Sequence, residues 1–496
     1  MSIIYDEAQK TITLHTRNTT YQMQVDKYGF LLHLYYGKTA EGCMDYLLTY
    51  YDRGFSGNPY DAGNDKTYSM DSLPQEFPSL GTGDYRTPAC IIKNTDRTYC
   101  SDFRYESHSI RDGKYALEGL PAVYADDDEA QTLEVVLEDR VTGVQAVLLY
   151  GVLPEYDIIT RSVKIVNGSN GHISVKKLAP ACLDMVGGQY DFITFYGRHA
   201  MERNMQRMPV GHGVQKIGSL RGSSSHQYNP AVIMAEHETT EDAGSCYAMA
   251  FVYSGGFQSE AGQDQYYQTR LLMGLSEEQF AYPLKAGEEF QSPEVIMSYS
   301  SEGLAKLSQN LHGCIRTHLC RGKYKEIVRP ILLNSWEASY FDFTGESLLK
   351  LASEAAKLGI EMFVMDDGWF GKRDSELRGL GDWKVNEEKL GCTLGELIEK
   401  INAMGLKFGI WIEPEMVNED SDLYREHPDW AFVIPGRRPN RSRHQLVLDF
   451  SRKEVVDYIY NQICSVLDQG NVEYIKWDMN RSIADVYSAT ADSQGR

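Results

Sequence analysis

The sequence predicts a multidomain protein of the β plus α/β class, in which a large antiparallel β-sandwich is followed by a β/α repeat. Short runs of alternating apolar and polar residues recur between turn signals from residue 1 to about 300. After residue 328, strand-like and helix-like segments alternate instead. Tryptophan use changes at the same place, because all six tryptophans lie after residue 328, at positions 336, 369, 383, 411, 430 and 477. A chain of 496 residues is long enough for two or more such domains.

The first half of the sequence predicts paired β-strands interrupted by one loop-rich region. The segment TLEVVLEDRVTGVQAVLLYG (132–151) predicts two strands joined at Thr142 and Gly143. Residues 52–90 are rich in Gly, Pro, Asn and Asp, which predicts long ordered loops of the kind that carry function. Leucines and an isoleucine at steps of three and four predict an amphipathic linking helix near 301–320. We therefore expect one domain over residues 1–325 and a second over 326–496.

The second half predicts parallel strands connected by helices. The strand candidates are RPILLNSW (329–336), IEMFVMDDGW (360–369), LKFGIWIEPEMV (406–417) and VEYIKWDMN (472–480). The helix candidates are TGESLLKLASEAAKLG (344–359), TLGELIEKINAMG (393–405) and SRKEVVDYIYNQICSVLDQG (451–470). Capping boxes are predicted at Thr393–Glu396 and Ser451–Glu454. The C′ glycines expected to end the helices are Gly359, Gly405 and Gly470. The segment LVLDF (446–450) reads as the approach to Ser451 rather than as a fifth strand of the repeat.

Composition excludes several classes of partner. The formal net charge of −21 argues against nucleic acid or an anionic membrane as the main partner, since both attract basic surfaces. The N-terminal segment MSIIYDEAQKTITLHTRN shows no signal peptide, and no stretch approaches the length of a transmembrane helix. The nine cysteines and twelve histidines are scattered without metal-site spacing. We expect a cytoplasmic protein with reduced thiols and no metal or other cofactor.

Carboxylates stand at three of the four predicted strand ends, which is where β/α folds bind ligands. They are Asp366 and Asp367, then Glu413 and Glu415, then Asp478. Buried acids are uncommon unless they are paired, so several acids at one rim favour a polar ligand or acid–base chemistry. Two alternatives remain: single acids that cap the following helix, and a metal bound by the first pair, although no further ligand accompanies that pair at metal spacing.

The last strand candidate carries the sharpest chemical pattern. Alternation places Lys476, Asp478 and Asn480 on one face and the apolar residues between them on the other. A lysine beside the aspartate favours its ionised form, which can attack the anomeric carbon of a sugar. The alternative is a structural Lys–Asp ion pair.

Aromatic and basic residues add candidates at the same strand ends. Trp336, Trp369 and Trp411 lie at or near these ends, where aromatic rings suit the apolar faces of sugars. Core packing is the simpler interpretation of Trp477. Arg443 reaches the rim or is a surface charge, and its spacing does not decide between the two.

These stretches resemble a known enzyme family. The ordered segments NSWEA (334–338), VMDDGWFGKR (364–373), GIWIEPEMV (409–417), HQLVLDFSR (444–452) and YIKWDMNRS (474–482) are similar to glycoside hydrolase family 36 α-galactosidases of the bacterial, tetrameric type. DRGFSGNPYDAG and LPQEFPSLGTGDYR resemble the N-terminal signature of that family. The resemblance implies an N-terminal β-supersandwich, a (β/α)8 catalytic barrel and a C-terminal β domain. It also implies hydrolysis, with retention of configuration, of terminal α-1,6-linked galactose from melibiose, raffinose and stachyose.

The resemblance carries roles onto individual residues. Asp478 matches the nucleophile. The positions that match the galactose subsite are Asp366, Asp367, Trp411, Arg443, Lys476 and Asn480, with Trp336 shaping the pocket. In related homotetramers the N-terminal loop reaches the active site of a neighbouring subunit, a contact that Asp52, Arg53 and Phe55 make here by analogy.

One part of the family pattern is missing from the sequence. The acid/base aspartate of the family follows a glycine-rich motif downstream of the nucleophile, and residues 1–496 contain no such motif. A (β/α)8 barrel takes about 250 residues, whereas the second half offers four βα-type strands. We therefore expect this chain to be an N-terminal portion of a longer protein, with an incomplete barrel. Glu413 and Glu415 are tempting substitutes for the acid, but the resemblance gives neither that role.

Three functions stay open at this point. The first is a retaining α-galactosidase that lacks its acid/base in this chain. The second keeps the fold and changes the substrate or acceptor, as an α-N-acetylgalactosaminidase or a galactosyl transferase. The third is a non-catalytic fragment that binds galactose.

Overall fold

The computed structural model describes residues 2–278 and 280–491, and the chain divides into two compact units, Met1–Lys325 and Glu326–Arg496. The first unit is rich in antiparallel β-structure, as the alternating pattern predicts. Its strands are β1 (Ile3–Asp6), β2 (Thr11–His15), β3 (Thr19–Val25), β4 (Leu31–Lys38), β5 (Cys90–Lys93), β6 (Arg104–Asp112), β7 (Gln131–Asp139), β8 (Val144–Leu153), β9 (Ile158–Asn167), β10 (Ile173–Leu178), β11 (Ala181–Met185), β12 (Tyr190–Arg198), β13 (Met201–Pro209), β14 (Gly213–Gly218), β15 (Tyr228–Glu236), β16 (Cys246–Val252), β17 (Phe257–Gln263), β18 (Thr269–Leu275), β19 (Tyr282–Leu284), β20 (Glu289–Gln291) and β21 (Glu294–Ser300).

Four sheets form the first unit. The largest has ten strands, in the order β13-β12-β15-β16-β21-β9-β8-β7-β6, with β20 paired to β9. The others follow the orders β1-β2-β3-β4, β11-β18-β17-β14 and β19-β10-β5. One hydrophobic core joins inward-facing side chains from all four sheets, with Leu14, Val175, Leu271 and Met249 among its fully buried members. The predicted hairpin around Gly143 is β7 and β8, and Gly143 adopts φ +76° in its turn.

A helix closes the β-rich unit. Helix α1 (Gly303–Cys314) continues as one π-helical turn over Ile315–Leu319. Its Leu307 is buried among Ile193, Cys246 and Ala248 of the largest sheet. The helix therefore packs as part of the first unit.

The second unit is a β/α repeat. Its parallel sheet has the order β22-β23-β24-β27, and a separate antiparallel pair is formed by β25 and β26. The strands are β22 (Leu332–Asn334), β23 (Met362–Met365), β24 (Lys407–Ile412), β25 (Met416–Asn418), β26 (Gln445–Val447) and β27 (Val472–Trp477). The helices are α2 (Trp336–Ser339), α3 (Gly345–Lys357), α4 (Glu387–Leu390), α5 (Leu394–Ala403), α6 (Asp422–Glu426) and α7 (Lys453–Leu467). The prediction that LVLDF does not join the parallel sheet is confirmed, since β26 pairs only with β25.

The predicted helix ends are partly right. Thr393 and Glu396 form the expected capping box, with the Glu396 amide donating to Thr393 Oγ1 at 3.2 Å. The prediction at Ser451 is wrong: α7 has Arg452 at its N-cap, and the Ser451 hydroxyl instead hydrogen-bonds Asp449. Gly359 and Gly405 adopt positive φ after their helices, at +84° and +83°. Gly470 does not, because its place is set by close packing, and a Cβ there would meet Ile398 at 2.7 Å.

Four of the six tryptophans are buried in the core of the second unit, whereas Trp336 is partly buried and Trp477 is exposed. Trp369, Trp383 and Trp411 are buried side by side with Phe370. Trp477 is 57% exposed, so the prediction that it packs in the core is wrong. Its indole lies on the outward face of β27 and donates to Glu415.

Candidate functional site

Asp478 is held by three donors directly after β27. Its Oδ2 accepts hydrogen bonds from Trp411 Nε1 at 2.9 Å and Asn480 Nδ2 at 2.8 Å, and its Oδ1 accepts from the Met479 amide at 3.0 Å. The Asp478 amide donates to Ile412 O at the end of β24. Every hydrogen bond described for this carboxylate comes from an uncharged donor, so its orientation is fixed while its charge is left without a bonded cation.

Lys476 points to the neighbouring strand end. Its Nζ lies 2.7 Å from Asp366 Oδ2, which also accepts from Asn334 Nδ2 at 2.6 Å. The Asp366 amide donates to Ser335 Oγ at 3.0 Å. The expectation that Lys476 pairs with Asp478 is therefore wrong, because the structure gives its ion pair to Asp366. Asn334 lies in the quoted NSWEA segment, but sequence reasoning did not select it.

Asp367 is paired with a buried arginine that sequence reasoning also missed. Arg373 Nη2 and Nε bind the carboxylate of Asp367 at 2.8 Å and 3.0 Å. Arg373 is itself fixed by the carbonyl of Arg378 and by Asn418 Oδ1. Burial raises the pKa of Asp367 above its ordinary value and the charge of Asp366 adds to this, although Arg373 opposes both. Two adjacent acids thus each have one cation.

Glu413 and Glu415 follow β24 and face different partners. Glu413 is completely buried, and it accepts from the Asn480 amide at 2.6 Å and from Gln445 Nε2 at 3.0 Å. Burial raises the pKa of Glu413 to about 7, and the charges of Asp478 and Asp367 act in the same direction. Glu415 accepts the Trp477 indole at 3.0 Å, and burial raises its pKa.

Arg443 and Trp336 lie at the margin of this group. Arg443 has a left-handed backbone conformation, with φ +50°, and its Nη2 donates to Glu376 at 2.9 Å. Its guanidinium also interacts electrostatically with Glu413 and Asp478. Trp336 begins α2, its amide donates to Asn334 Oδ1 at 2.8 Å, and its ring meets Tyr340 and Phe341 edge-on.

The three loop residues predicted for a neighbouring subunit lie in the first unit. Asp52 Oδ1 accepts from the Gly54 amide at 2.9 Å, and Arg53 Nη1 donates to Ser56 O at 2.8 Å. The Ser56 hydroxyl donates to Asp71 at 2.7 Å. Phe55 is fully exposed at the tip of this loop.

Metal-binding clusters and membrane-spanning helices were considered for residues 2–278 and 280–491, which are the residues that the structure describes. Within those ranges, no group of three His, Cys, Asp or Glu side chains is arranged to hold a metal ion. Across the same ranges, no helix combines the length and apolar character that a membrane span requires.

Comparison with known proteins bears on the same site. Residues 29–285 match the model of the glycosyl hydrolase family 36 N-terminal domain, and residues 289–496 match the Melibiase model. The bifunctional alpha-galactosidase/sucrose kinase AgaSK of Mediterraneibacter gnavus is 64% identical over 98% of this chain, which spans 52% of that relative. Its solved galactosidase domain superposes with a TM-score of 0.97 over 98% of this chain and 68% of the domain.

Two further relatives agree with this assignment. Alpha-galactosidase Mel36A of Lactobacillus acidophilus is 43% identical over 99% of this chain and 68% of its own length. A variant of the GH36 alpha-galactosidase AgaA of Geobacillus stearothermophilus, solved with stachyose, is 40% identical, with a TM-score of 0.96 over 98% of this chain and 68% of that structure. Another AgaA variant was solved with raffinose. This chain thus spans about half to two thirds of the relatives it matches, and it belongs to glycosyl hydrolase family 36.

Proposed function

We propose that the site around Asp478 is that of a retaining α-galactosidase, acting on terminal α-1,6-linked galactose in oligosaccharides such as melibiose, raffinose and stachyose. One observation carries the proposal: a carboxylate fixed by three uncharged donors stands beside two acids that are each held by a cation. The relatives named alpha-galactosidase, and the AgaA structures with raffinose and stachyose, support this substrate class.

The proposed nucleophile is Asp478. One of its oxygens attacks C1 of galactose, the bond from C1 to the leaving oxygen breaks, and the electron pair departs with the leaving group. The donors Trp411, Asn480 and Met479 hold the carboxylate in the orientation for attack and therefore reduce the entropy lost in reaching the transition state. Water then hydrolyses the galactosyl–enzyme ester with a second inversion, so the configuration at C1 is retained.

The remaining site residues are proposed to bind galactose. Asp366 and Asp367 accept hydrogen bonds from the O4 and O6 hydroxyls, while Lys476 and Asn480 donate to ring substituents. Trp411, Arg443 and Trp336 complete the list of subsite residues. The cations on Asp366 and Asp367 orient these acids and balance their charge, which leaves carboxylate oxygens in position for sugar hydroxyls.

The acid that protonates the leaving sugar is not assigned to any residue of the described chain. A retaining site needs a second carboxyl group about 5–5.5 Å from the nucleophile. Glu413 is buried and bonded to two amides, and Glu415 is turned to Trp477. Substrates with good leaving groups need no such acid in the first step, so the initial release of the leaving group tests Asp478 separately. The second step uses this unassigned acid as a base.

An activated galactoside gives the direct test. The 496-residue chain is incubated with 2,4-dinitrophenyl α-galactoside, and release of the phenolate is followed by absorbance. We expect a burst of phenolate followed by slow turnover, the α-anomer as the first product by proton NMR, and little hydrolysis of raffinose. The 2-acetamido analogue is the comparison substrate, and preference for it would favour an α-N-acetylgalactosaminidase. Binding of galactose by calorimetry without any phenolate release would favour a non-catalytic protein.

We also propose that the loop carrying Asp52, Arg53 and Phe55 contacts a neighbouring copy in a homotetramer. The exposure of the whole Phe55 ring, on a loop fixed by the Arg53 and Ser56 hydrogen bonds, supports a contact outside its own chain. Phe55→Ala is expected to reduce the tetramer fraction in mass photometry, and an unchanged distribution would contradict the proposal.

A further inference from the structure

Glu413 is the most completely buried of the five acids around the site, which are Asp366, Asp367, Glu413, Glu415 and Asp478. Its side chain is completely buried directly after β24, and both of its oxygens accept from amides. Asn480 N–H lies 2.6 Å from Oε1, and Gln445 Nε2 lies 3.0 Å from Oε2. A buried carboxylate without a bonded cation is costly, which calls for an explanation of its presence here.

One residue, Asn480, connects Glu413 to the proposed nucleophile by hydrogen bonds. Glu413 holds the backbone of Asn480, and the side chain of Asn480 donates to Asp478 Oδ2 at 2.8 Å. Trp411, two residues before Glu413, donates to the same oxygen at 2.9 Å. The end of β24 therefore fixes Asp478 twice, directly through Trp411 and indirectly through Glu413.

We propose that Glu413 is a positioning residue for Asp478. The Glu413 side chain accepts a hydrogen bond from the Asn480 amide and so holds the turn from Asp478 to Asn480. The proposal rests on the function proposed above for Asp478. Glu413 touches neither the sugar nor the reacting atoms, so its effect is on the placement of the nucleophile and not on the proton transferred to the leaving group.

The groups around Glu413 indicate that the length of its side chain, and not its charge, is needed to hold Asn480. Both bonded partners are amides, and the charged groups that face Glu413 are Asp478, Asp367 and Arg443. Gln445 Oε1 is buried and has no hydrogen-bond partner among the described residues. If the Gln445 amide flips, a glutamine at position 413 can accept from Asn480 N–H with its carbonyl and donate its NH2 to the Gln445 oxygen. The pKa of Glu413, raised to about 7 by burial and by the two neighbouring acids, agrees with a site that accepts a neutral side chain.

Two substitutions at position 413 separate reach from charge. Glu413→Asp keeps the carboxylate but is one methylene too short for Asn480 N–H, and Glu413→Gln keeps the length but removes the charge. The probe is 2-deoxy-2-fluoro-α-galactosyl fluoride: an Asp478 oxygen bonds to C1, the C1–F bond breaks, and fluoride leaves with the electron pair. No acid is needed. Labelling of the 496-residue chain is followed by intact mass and mapped to Asp478 by peptide mass spectrometry.

We expect E413D to lower the labelling rate constant about 10- to 100-fold, since small misplacements of a nucleophile cost this much. The inhibitor concentration for half-maximal rate should change much less than the rate constant, because Asp366, Asp367 and Lys476 keep their own partners and only Asn480 is loosened. E413Q should label at nearly the wild-type rate. The matched controls are Glu415→Asp and Glu415→Gln, since Glu415 stands on the same strand end but faces Trp477. Both should label like wild type.

Three results would overturn the proposal. They are an E413D rate equal to wild type, an E413Q rate as low as that of E413D, and equal losses in the Glu415 controls. If E413D does not fold, Glu413→Met carries the same expectation, because it keeps the volume and accepts no strong hydrogen bond.

Hydrogen–deuterium exchange separates this inference from the proposed function. Exchange over the peptide 474–482 should accelerate in E413D and stay slow in E413Q and in the Glu415 controls. If wild type is never labelled at Asp478, the proposed function fails, and the exchange result alone still decides whether Glu413 holds the turn.

Discussion

Two completely buried glutamates, one in each unit, have pKa values that are shifted in opposite directions. In the first unit, Glu76 is completely buried, with Arg161 Nη1 at 3.0 Å, Tyr150 OH at 2.7 Å and His33 Nδ1 at 3.2 Å from its oxygens. Burial alone would raise the pKa of Glu76, but Arg161 and the hydrogen bonds more than offset it and bring the pKa to about 2. In the second unit, Glu413 is just as buried but bonded only to amides, and its pKa rises to about 7.

Two buried aspartates, one in each unit, show the same contrast in pKa. Asp184 of the first unit binds Arg270 through both oxygens, at 2.6 Å and 2.7 Å, and its pKa falls to about 2. Asp367 of the second unit also binds one arginine in this way, yet its pKa is raised, by burial first and by the adjacent Asp366. Glu76 and Asp184 thus have cations that outweigh their burial, whereas Glu413 and Asp367 do not.

The oxygens of Glu76 and Asp184 are taken up by partners inside the fold. Acids with perturbed pKa values cluster at sites where a ligand or a reaction uses them, which fits the function proposed for the second unit. We therefore expect substitutions in the two places to fail differently, in stability for the first unit and in catalysis for the second.

The largest expected effect follows from removing the proposed nucleophile. Asp478→Asn should lower turnover of 2,4-dinitrophenyl α-galactoside by at least about 10⁴-fold, a loss typical of deleting the attacking group. The melting temperature should stay level or rise, because the substitution removes one negative charge from a group short of cations. Steady-state rates and calorimetry on the same preparation measure both. A large drop in stability with turnover retained would reverse the assignment of this region.

The next effect is on stability in the first unit. Glu76→Gln leaves Arg161 buried without its counter-charge, and the free energy of unfolding should fall by about 3 to 5 kcal/mol in urea titrations. Glu106→Gln is the control, since its ion pair with Arg140 is exposed on both sides and should contribute less than about 1 kcal/mol. Turnover per folded molecule should not change in either variant. Equal unfolding free energies for the two variants would show that the Glu76 cluster does not hold the unit.

The sequence predicted where the acids of the candidate site lie better than it predicted which residues they bond to. Strand alternation and strand ends brought Asp366, Asp367 and Asp478 to one rim, because both are local consequences of β geometry. The partner of Lys476 was predicted wrongly, since its ion pair with Asp366 spans 110 residues of chain and depends on strand order in the folded sheet. Arg373 was missed for a related reason: its role appears only when the loop after β23 folds back onto Asp367.

Errors in the fold have the same origin. The capping box at Thr393 is settled by residues three apart and was predicted correctly. Ser451 has the same local spacing, but its hydroxyl finds Asp449, and the helix begins two residues later. The alternation of side chains along β27 was predicted correctly. Tertiary packing decides which face of the strand is covered, and the local sequence does not show this. Trp477 was therefore assigned to a core that it does not enter.

The smallest effect is a difference in pH dependence between the two buried glutamates. The pKa of Glu413 in the folded chain is about 7, above the ordinary glutamate value of 4.5, so the folded state holds the proton that the unfolded state releases. Stability from this group is therefore complete below pH 4.5 and is lost as the pH rises toward 7, by about 3 kcal/mol at 1.36 kcal/mol per unit.

Glu76 has the opposite sign, since its pKa of about 2 makes stability fall as the pH drops from 4.5 toward 2. Urea unfolding between pH 4 and 8 should give a slope in wild type that Glu413→Gln reduces, with the variant the more stable of the two at pH 8. The slope that remains comes from other acids with raised pKa values, such as Asp367 and Glu415. The control Glu415→Gln should keep the contribution of Glu413. A slope that Glu413→Gln leaves unchanged would place the titrating group elsewhere and remove the contrast between the two glutamates. If the slope falls, the pH profile distinguishes Glu76, which stabilises the fold in its charged form, from Glu413, whose charged form destabilises it.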